Sequence, residues 1–281
     1  MKTCIIGLGW LGVPLAKHMQ QLGHTTNGTT RSTQKIAALA NENITAHEFD
    51  LFAAPPQAQL AEGLFNDANV IINIAPGRRD IDASIFTEAM HTLVDYVFAC
   101  GAKHLVFVST TSVFGNQQGC LNEDDTPNAV TPSGIAHQSI ERYIVSNYAS
   151  KATILRLAGL IGLNPDGSLR HPVSALARKS NIRNGHHPVN LLHQHDAIAF
   201  ISAIISVRPE RKILHACSLL HPSRREYYTW AGKKLGLGTI DFTPPEDDKS
   251  KEVGKTIDAS ASLKALNLRL YYPSPFDMLD V

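Results

Sequence analysis

Short apolar runs alternate with longer helical patterns through the first ~160 residues of the chain. Runs at residues 3–6, 70–75, 104–109 and 153–157 lack the regular alternation of apolar and polar positions. Uninterrupted runs of this length are typical of strands in a parallel sheet that helices cover on both faces. The pattern therefore predicts an α/β fold built on a doubly wound parallel sheet.

Two helices are predicted between these strands. The first spans residues 13–22, with Pro14 in its first turn and Gly23 directly after its end, the positions at which these two residue types are favoured. The second spans residues 85–100. A strand followed by a helix and another parallel strand is the repeating unit of the Rossmann-type fold, so we expect this fold.

A glycine-rich motif of the form G-x-G-x-x-G occupies residues 7–12, between the first predicted strand and the first predicted helix. In this setting the first glycine permits a tight turn, the second lets the backbone approach a pyrophosphate, and the third lets the helix pack against the strand. The N–H groups at the helix start add partial positive charge. A glycine-rich turn without a ligand is the alternative. We assign to the dinucleotide site Gly7, Gly9, Trp10, Leu11 and Gly12.

The residues about 20 positions beyond the motif distinguish the two nicotinamide cofactors, since an acidic side chain there binds the ribose 2′-hydroxyl of NAD. The segment 25–32 contains no acidic residue and ends in Thr30, Arg31 and Ser32. Hydroxyl groups and a guanidinium can bind a 2′-phosphate through charge-assisted hydrogen bonds. We therefore expect NADP, with NAD the less favoured cofactor. Alternatively, Arg31 is a solvated surface charge.

The composition is that of an ordinary globular protein, with 43% hydrophobic and 18% charged residues among 281. The net charge is +1, from 26 basic and 25 acidic side chains, so no overall field attracts nucleic acid or an anionic membrane. We expect neither as a partner, and any anionic ligand must be held by local groups. The first apolar stretch is too short for a leader peptide, and no apolar run reaches the roughly 20 residues of a membrane span. These features indicate a cytoplasmic protein.

The pattern becomes less regular after Gly162, where loops rich in Gly, Pro, Asn and His separate shorter elements. A chain of this length commonly adds a smaller lobe to a nucleotide-binding domain. We expect a Rossmann domain at residues 1–162 and a C-terminal substrate lobe at residues 163–281, interleaved with it. Histidines in the second part lack a helical H-x-x-x-H pattern and a clear carboxylate partner, so we expect no metal site. They are His186, His187, His193 and His195.

Several segments of the chain occur in an order known from one protein family. After the glycine motif come Thr30-Arg31, Phe49-Asp50-Leu51, Asn73-Ile74-Ala75-Pro76 and the stretch from Ser109 to Gly115. On these segments the sequence resembles the extended short-chain dehydrogenases/reductases, and more closely their atypical NAD-dependent epimerase/dehydratase-like (YeeZ-like) branch. The resemblance extends over essentially the whole chain. It implies oxidoreductase or epimerase activity on a small molecule, which in many relatives is a nucleotide sugar.

The resemblance also implies further cofactor contacts. Asp50 and Leu51 would lie by the adenine, and Ala75 and Pro76 would line the cofactor behind the fourth strand. The second lobe would bind the substrate. Beyond the resemblance, two residues after Pro76 could hold an anionic substrate or lie in solvent, namely Arg78 and Arg79.

The catalytic pattern of the family is altered in this chain. Relatives carry a Ser or Thr after the fifth strand and a Tyr-x-x-x-Lys pair on the next helix, with a Glu four residues beyond the Lys. Thr110 matches the first position. Counting back from Glu141 places His137 where the Lys belongs and Ser133 where the Tyr belongs. The Tyr and the Lys are therefore both absent.

Two functional hypotheses follow from this change. A Ser hydroxyl does not titrate near neutral pH, whereas a His has an ordinary pKa near 6.5, and the i to i+4 spacing places His137 on the same helix face as Ser133. In the first hypothesis Thr110 orients the substrate oxygen and His137 exchanges the proton. In the second, the histidine only contacts a ribose hydroxyl or solvent. The protein would then bind NADP as a sensing or structural ligand, and its second lobe would contact another protein.

Overall fold

A computed structural model describes residues 1–76, 82–248 and 252–280 of the chain. Arg78 and Arg79, considered above as anion ligands, lie outside the described residues. The strands, numbered in chain order, are β1 (Lys2–Ile6), β2 (Thr25–Thr30), β3 (Thr45–Glu48), β4 (Ala68–Ile72), β5 (His104–Thr110), β6 (Gly119–Leu121), β7 (Ala152–Leu157), β8 (Gly159–Leu163), β9 (Leu169–Arg170), β10 (Leu191–His193), β11 (Ile213–Ala216) and β12 (Lys255–Ile257).

The helices lie mostly between the strands of the first half. They are α1 (Gly12–Gln21), α2 (Thr33–Ala40), α3 (Pro56–Gln59), α4 (Ala83–Ala99), α5 (Pro132–Tyr148), α6 (Val173–Leu176), α7 (Gln194–Val207), α8 (Arg224–Lys234) and α9 (Ser260–Leu266). The predicted helices at residues 13–22 and 85–100 correspond to α1 and α4, each displaced by one or two residues. Within the described ranges, no helix combines the length and apolar character needed to cross a bilayer.

The central sheet has seven parallel strands in the described part of the chain, in the order β11-β7-β5-β4-β1-β2-β3. The predicted α/β fold with a doubly wound parallel sheet is therefore confirmed. Strand β1 lies between β2 and β4, because Lys2 pairs with Thr25 on one side and with Ala68 on the other. The strand order therefore reverses at β1, with β2 and β3 on one side and β4, β5 and β7 on the other. In open parallel sheets, ligands bind outside the carboxyl ends of the strands at such a switch point. The glycine motif follows β1 at this place.

Apolar side chains of the sheet pack into a separate core on each face. Ile5 belongs to one core with Leu15 of α1, whereas Cys4 belongs to the other with Met90 of α4. All four side chains have no exposed surface. Burial on both faces explains why the strand segments read as continuous apolar runs.

The second half of the chain contributes both to a third apolar cluster and to the central sheet. This cluster includes Ile161, Val189 and Tyr227, and the segments that pack around it are called the smaller lobe. Two small sheets accompany it, one of the order β10-β8-β9 and one that pairs β12 with β6. Strand β11 and helix α7 pack on the large domain, because β11 pairs in parallel with β7 and α7 contributes Phe200 to a core of the large sheet.

Candidate dinucleotide-binding and active site

The turn between β1 and α1 requires glycine at its first and third motif positions. Gly7 has a φ of +110°, and a Cβ there would lie 2.5 Å from the carbonyl oxygen of Asn73. A Cβ at Gly12 would lie 2.2 Å from the carbonyl oxygen of Gly7. By contrast, a Cβ at Gly9 would meet no atom within 4 Å. The middle glycine therefore leaves open space beside the backbone, as close approach by a bound pyrophosphate requires.

The N-terminus of α1 presents backbone N–H groups at this turn. The N–H of Leu8 donates to Thr29 O at 2.7 Å, which holds the turn against β2, and the N–H of Gly9 donates to Gly7 O at 2.8 Å within the turn. The residue before the helix is Leu11, whose buried side chain provides no cap. The first N–H groups of a helix have no carbonyl partner within it and carry partial positive charge, so this end suits an anion.

A cleft of ≈ 400 Å³ opens beside the glycine turn, outside the carboxyl ends of the strands. It brings together residues from five separate segments of the sequence. Eight of the residues assigned to the cofactor from the sequence line it, namely Gly7, Gly9, Thr30, Arg31, Ser32, Asp50, Leu51 and Ala75. Sequence reasoning missed the other lining residues, which are Leu8, Thr29, Lys35, Phe49, Phe52, Asn73, Ile74 and Phe86.

The remaining residues assigned to the cofactor lie outside this lining. Leu11 is 4% exposed and belongs to an apolar core of the large domain. Gly12 allows the start of α1 to pack closely against the carbonyl oxygen of Gly7. Pro76 is the last residue before an interval outside the described ranges. The indole of Trp10 faces the smaller lobe. Its Nε1 donates to Leu163 O at 2.9 Å, and the guanidinium of Arg170 lies 4.5 Å from its ring centre.

Two basic side chains stand at the rim of the cleft where β2 ends. Arg31 and Lys35 both line the cleft and are exposed. Among the described residues, neither forms an ion pair. Ser32 precedes α2, and its hydroxyl caps no N–H of that helix, while Thr30 Oγ1 accepts from the N–H of Ser32 at 3.2 Å. The sequence shows Lys35 as a second basic residue four positions after Arg31.

The loop after β3 contributes residues 49–52 to the lining of the cleft. Its carboxylate, Asp50 Oδ1, accepts from the N–H of Phe52 at 2.9 Å. The amide of Gln59 fixes the same loop from behind, since its Oε1 accepts from the N–H of Asp50 and its Nε2 donates to Asp50 O. The carboxylate is thus held in place by a turn of its own loop while the side chain lines the cleft.

Thr110 and Ser133 are placed by the end of β5 and the start of α5. Thr110 Oγ1 accepts from the N–H of Ser112 at 3.1 Å and so starts the short turn Thr111–Phe114. Gly134 lets α5 approach this turn closely, because a Cβ at that position would lie 2.9 Å from Ser112 O. Both Thr110 and Ser133 are partly exposed. The arrangement therefore provides two hydroxyl groups at one edge of the sheet.

His137 lies inside the large domain instead of at the surface of the cleft. It is 5% exposed, and its ring centre lies 6.3 Å from that of Phe86 and 5.9 Å from that of Phe107. Nδ1 lies 2.7 Å from Ser133 O, which can only accept, so Nδ1 carries the proton and donates. Burial lowers the pKa of His137, against smaller opposite effects of Ser133 O and Glu141. The imidazole is therefore neutral at neutral pH.

Glu141, used above to align the helix, belongs to a buried ionic network. It is 3% exposed and accepts from Nη2 of Arg156 at 2.8 Å and from the hydroxyl of Ser109 at 2.5 Å. On the other side, Arg156 Nη1 lies 3.5 Å from Nε2 of His215, and burial lowers the pKa of that histidine to about 4. A neutral His215 can accept from the guanidinium. The network joins α5, β5, β7 and β11 beneath the site.

A second cleft, of ≈ 720 Å³, lies in the smaller lobe. Three arginines line it: Arg170 of β9, Arg178 after α6, and Arg224 of α8. The described lining contains no carboxylate. This concentration of guanidinium groups suits a ligand with phosphate or carboxylate groups. Within the described ranges, no group of three or more His, Cys, Asp or Glu side chains is arranged to hold a metal ion.

Comparison with known proteins identifies the family of this chain. Residues 4–211 match the model of the NAD dependent epimerase/dehydratase family. The chain is 31% identical to Protein YeeZ of Escherichia coli K12 over 281 residues, which covers 99% of this chain and 98% of that protein.

Solved structures agree on the fold. A UDP-glucuronic acid 4-epimerase from Bacillus cereus, solved with UDP-glucuronic acid and NAD, aligns with a TM-score of 0.76 at 17% identity and covers 100% of this chain and 97% of its own. A candidate NAD-dependent epimerase/dehydratase from Methylobacillus flagellatus aligns with a TM-score of 0.78 at 23% identity, over 99% and 96% of the two chains. These likenesses show the fold alone. By the family model and the relative from Escherichia coli, the chain belongs to the NAD-dependent epimerase/dehydratase family.

Proposed function

We propose that this chain binds NADP in the 400 Å³ cleft and acts as an oxidoreductase or epimerase on an anionic, nucleotide-sugar-like substrate. One observation carries the cofactor preference. Arg31 and Lys35 line the cleft at the end of β2, and among the described residues neither has an ionic partner.

The charge at the end of β2 favours a phosphate over a hydroxyl. An NAD site commonly has a carboxylate there that accepts from the ribose 2′-hydroxyl. In this chain the place is taken by Thr30, Arg31 and Ser32, and the hydroxyl group of Thr30 retains its proton to donate while its oxygen accepts from Ser32 N. Two cations and two hydroxyls complement the two negative charges of a 2′-phosphate.

The open space at Gly9 and the uncapped N-terminus of α1 fit the pyrophosphate of a dinucleotide. When bound, the nicotinamide supplies hydride transfer, and the protein must bind, orient and exchange protons with the substrate. Thr110 and Ser133 provide hydroxyl groups that can bind a substrate oxygen. His137 is buried and neutral, so we assign it the role of anchoring the first turn of α5 through Ser133 O.

Two features support an anionic substrate. The smaller lobe contains the cleft with three arginines, and a structural neighbour was solved with UDP-glucuronic acid. A nucleotide sugar would offer phosphate groups to such guanidinium groups. We place the substrate between the carboxyl edge of the sheet and the smaller lobe, where the two parts of the chain meet.

A second function is supported by the altered helix α5. Because a Ser stands at the tyrosine position and His137 is covered by Phe86 and Phe107, the chain lacks the usual proton-transfer pair. The protein would then bind NADP as a sensor without turnover. The nicotinamide absorbance in the presence of UDP-glucose or UDP-glucuronic acid reports an oxidoreductase, because net hydride transfer changes it. An epimerase returns the hydride to the sugar within each turnover, so it is detected by the appearance of the epimeric nucleotide sugar. A sensor would produce neither change.

The cofactor preference is tested by calorimetry with Arg31→Ala and Lys35→Ala. Each substitution is expected to weaken NADPH about tenfold, or about 1.4 kcal/mol, and to leave NADH affinity unchanged. Lys17→Ala is the matched control, because Lys17 pairs with Glu42 at 2.7 Å and does not line the cleft. Equal losses of NADPH and NADH affinity, or equal affinities of the natural protein for both, would contradict the proposal.

A further inference from the structure

Strand β12 joins the two parts of the chain next to the candidate active site. Lys255, its first residue, pairs with Gly119 of β6, the strand that follows the turn after β5. On its other side, Asn190 Nδ2 donates to Lys255 O at 2.8 Å and Asn190 Oδ1 accepts from the N–H of Ile257 at 2.9 Å. Asn190 O in turn accepts from the N–H of Gly159, directly after β7.

These contacts place Lys255 near the carboxyl ends of two adjacent strands. Strands β5 and β7 are neighbours, and Thr110 pairs with Leu157 at their ends. The ammonium of Lys255 donates to the carbonyl oxygen of Gly115. Gly115 ends the short turn that Thr110 begins, so one 3-10 turn separates the hydroxyl of Thr110 from the carbonyl that holds the amine. Ligands of open parallel sheets bind at this edge.

The ammonium of Lys255 is partly removed from water without a negative partner. Its side chain is half-buried, and burial lowers its pKa. Among the described residues it forms no ion pair, whereas Lys17 and Lys103 pair with Glu42 and Asp67 at the surface. Removing a charged amine from water has a cost that one carbonyl oxygen offsets only in part. A cation left in this state at a ligand-binding edge is a candidate functional group.

We propose that Lys255 binds an oxyanion of the substrate, a phosphate or a carboxylate group, beside Thr110. The substrate then supplies the negative charge that no ion pair among the described residues provides. The inference rests on the proposed function in that both place the substrate at this edge of the sheet. Lys255 would thus be a substrate-binding residue on strand β12, whereas the altered family pattern lies on helix α5.

The amine can be tested directly with pyridoxal 5′-phosphate. The aldehyde condenses with an unprotonated amine to an imine with loss of water, and borohydride then reduces the imine so that peptide mass spectrometry reports each lysine. We expect Lys255 to be labelled, and labelling to fall about tenfold when an anion is present at roughly ten times its dissociation constant. Inorganic phosphate and glucuronic acid, added separately, distinguish a phosphate site from a carboxylate site. Lys151, which is exposed, is the internal control and should not respond to either anion.

The same experiment keeps the two proposals apart. Bound NADPH should reduce the labelling of Lys35, which reports on the cofactor cleft. This result is expected whether or not an anion reduces the labelling of Lys255. Lys255→Gln, with its folding checked by urea denaturation, should lose only the corresponding labelled peptide. If Lys255 stays unlabelled while Lys151 reacts, or if neither anion reduces its labelling, then the amine serves only to fasten Gly115 and the inference is wrong.

Discussion

The indole Nε1 of Trp10 donates a hydrogen bond to the carbonyl oxygen of Leu163 at 2.9 Å, which ties the glycine turn to the end of β8. Gln194 at the start of α7 donates to Trp10 O at 2.8 Å. The guanidinium of Arg170 covers the indole ring. The absence of a side chain at Gly162 leaves room for the ring, since a Cβ there would lie 3.3 Å from Trp10 Cζ2. One residue of the cofactor turn thus contacts three segments beyond the first 160 residues or so.

Trp10 is therefore expected to couple the cofactor turn to the second lobe. Trp10→Phe removes one hydrogen bond and should lower the free energy of unfolding in urea by about 1 kcal/mol. Trp10→Ala also removes the ring and should lower it by about 2 kcal/mol or more, with weaker NADPH binding in calorimetry. Trp230→Phe is the control, because Trp230 packs on Phe276 within the smaller lobe and should leave NADPH affinity unchanged. Unaltered stability and affinity in Trp10→Ala would refute the coupling.

The buried pair of Glu141 and Arg156 is expected to contribute strongly to the stability of the fold. Glu141→Gln leaves the guanidinium, 1% exposed, without its counterion and should lower the free energy of unfolding by about 3–5 kcal/mol. Asp124→Asn removes the carboxylate from a comparable 2.7 Å contact with Arg211 that is largely exposed, and should cost less than about 1 kcal/mol. Urea denaturation of both variants decides the matter. If the free energy of unfolding falls by a similar amount in the two variants, then burial does not determine how much an ion pair contributes to stability.

His137 is expected to affect stability in a pH-dependent way. Because burial lowers its pKa from 6.5, the unfolded chain binds a proton more readily than the folded one below that pH. The natural protein should therefore lose stability as the pH falls below 6.5, and His137→Gln should lose less over the same interval. His171, His193 and His215, whose pKa values burial lowers to about 4, are present in both proteins and do not affect the difference.

The measurement is urea denaturation of both proteins from about pH 5 to pH 8, which spans the ordinary range of histidine titration. Parallel stability curves would mean that His137 is protonated equally in the folded and unfolded chains. If the protein turns over a substrate, His137→Gln should also retain most of its turnover once folded. A loss of about 100-fold or more at constant NADPH affinity would instead identify the histidine as the proton-exchanging group.

The sequence by itself determined the sheet, the first helix and the glycine turn. Continuous apolar runs predict strands that are buried on both faces, and the spacing of Gly7, Gly9 and Gly12 is a local motif that the sequence displays directly, although the close contact at Gly7 is with the distant Asn73 O. The lack of an acidic residue at the end of β2 is likewise a local property that the sequence displays directly.

Only the tertiary structure decided which of these side chains reach the cleft. The i to i+4 spacing places Ser133 and His137 on one face of α5, but the packing of that face against Phe86 and Phe107 buries the histidine. Trp10 lies within the motif, yet its partners are Leu163 and Arg170, more than 150 residues away in the chain. Lys255 reaches the end of β5 only through the pairing of β12 with β6. Periodicity records which residues share a face, whereas the neighbour of that face depends on contacts between distant segments, which no local pattern contains.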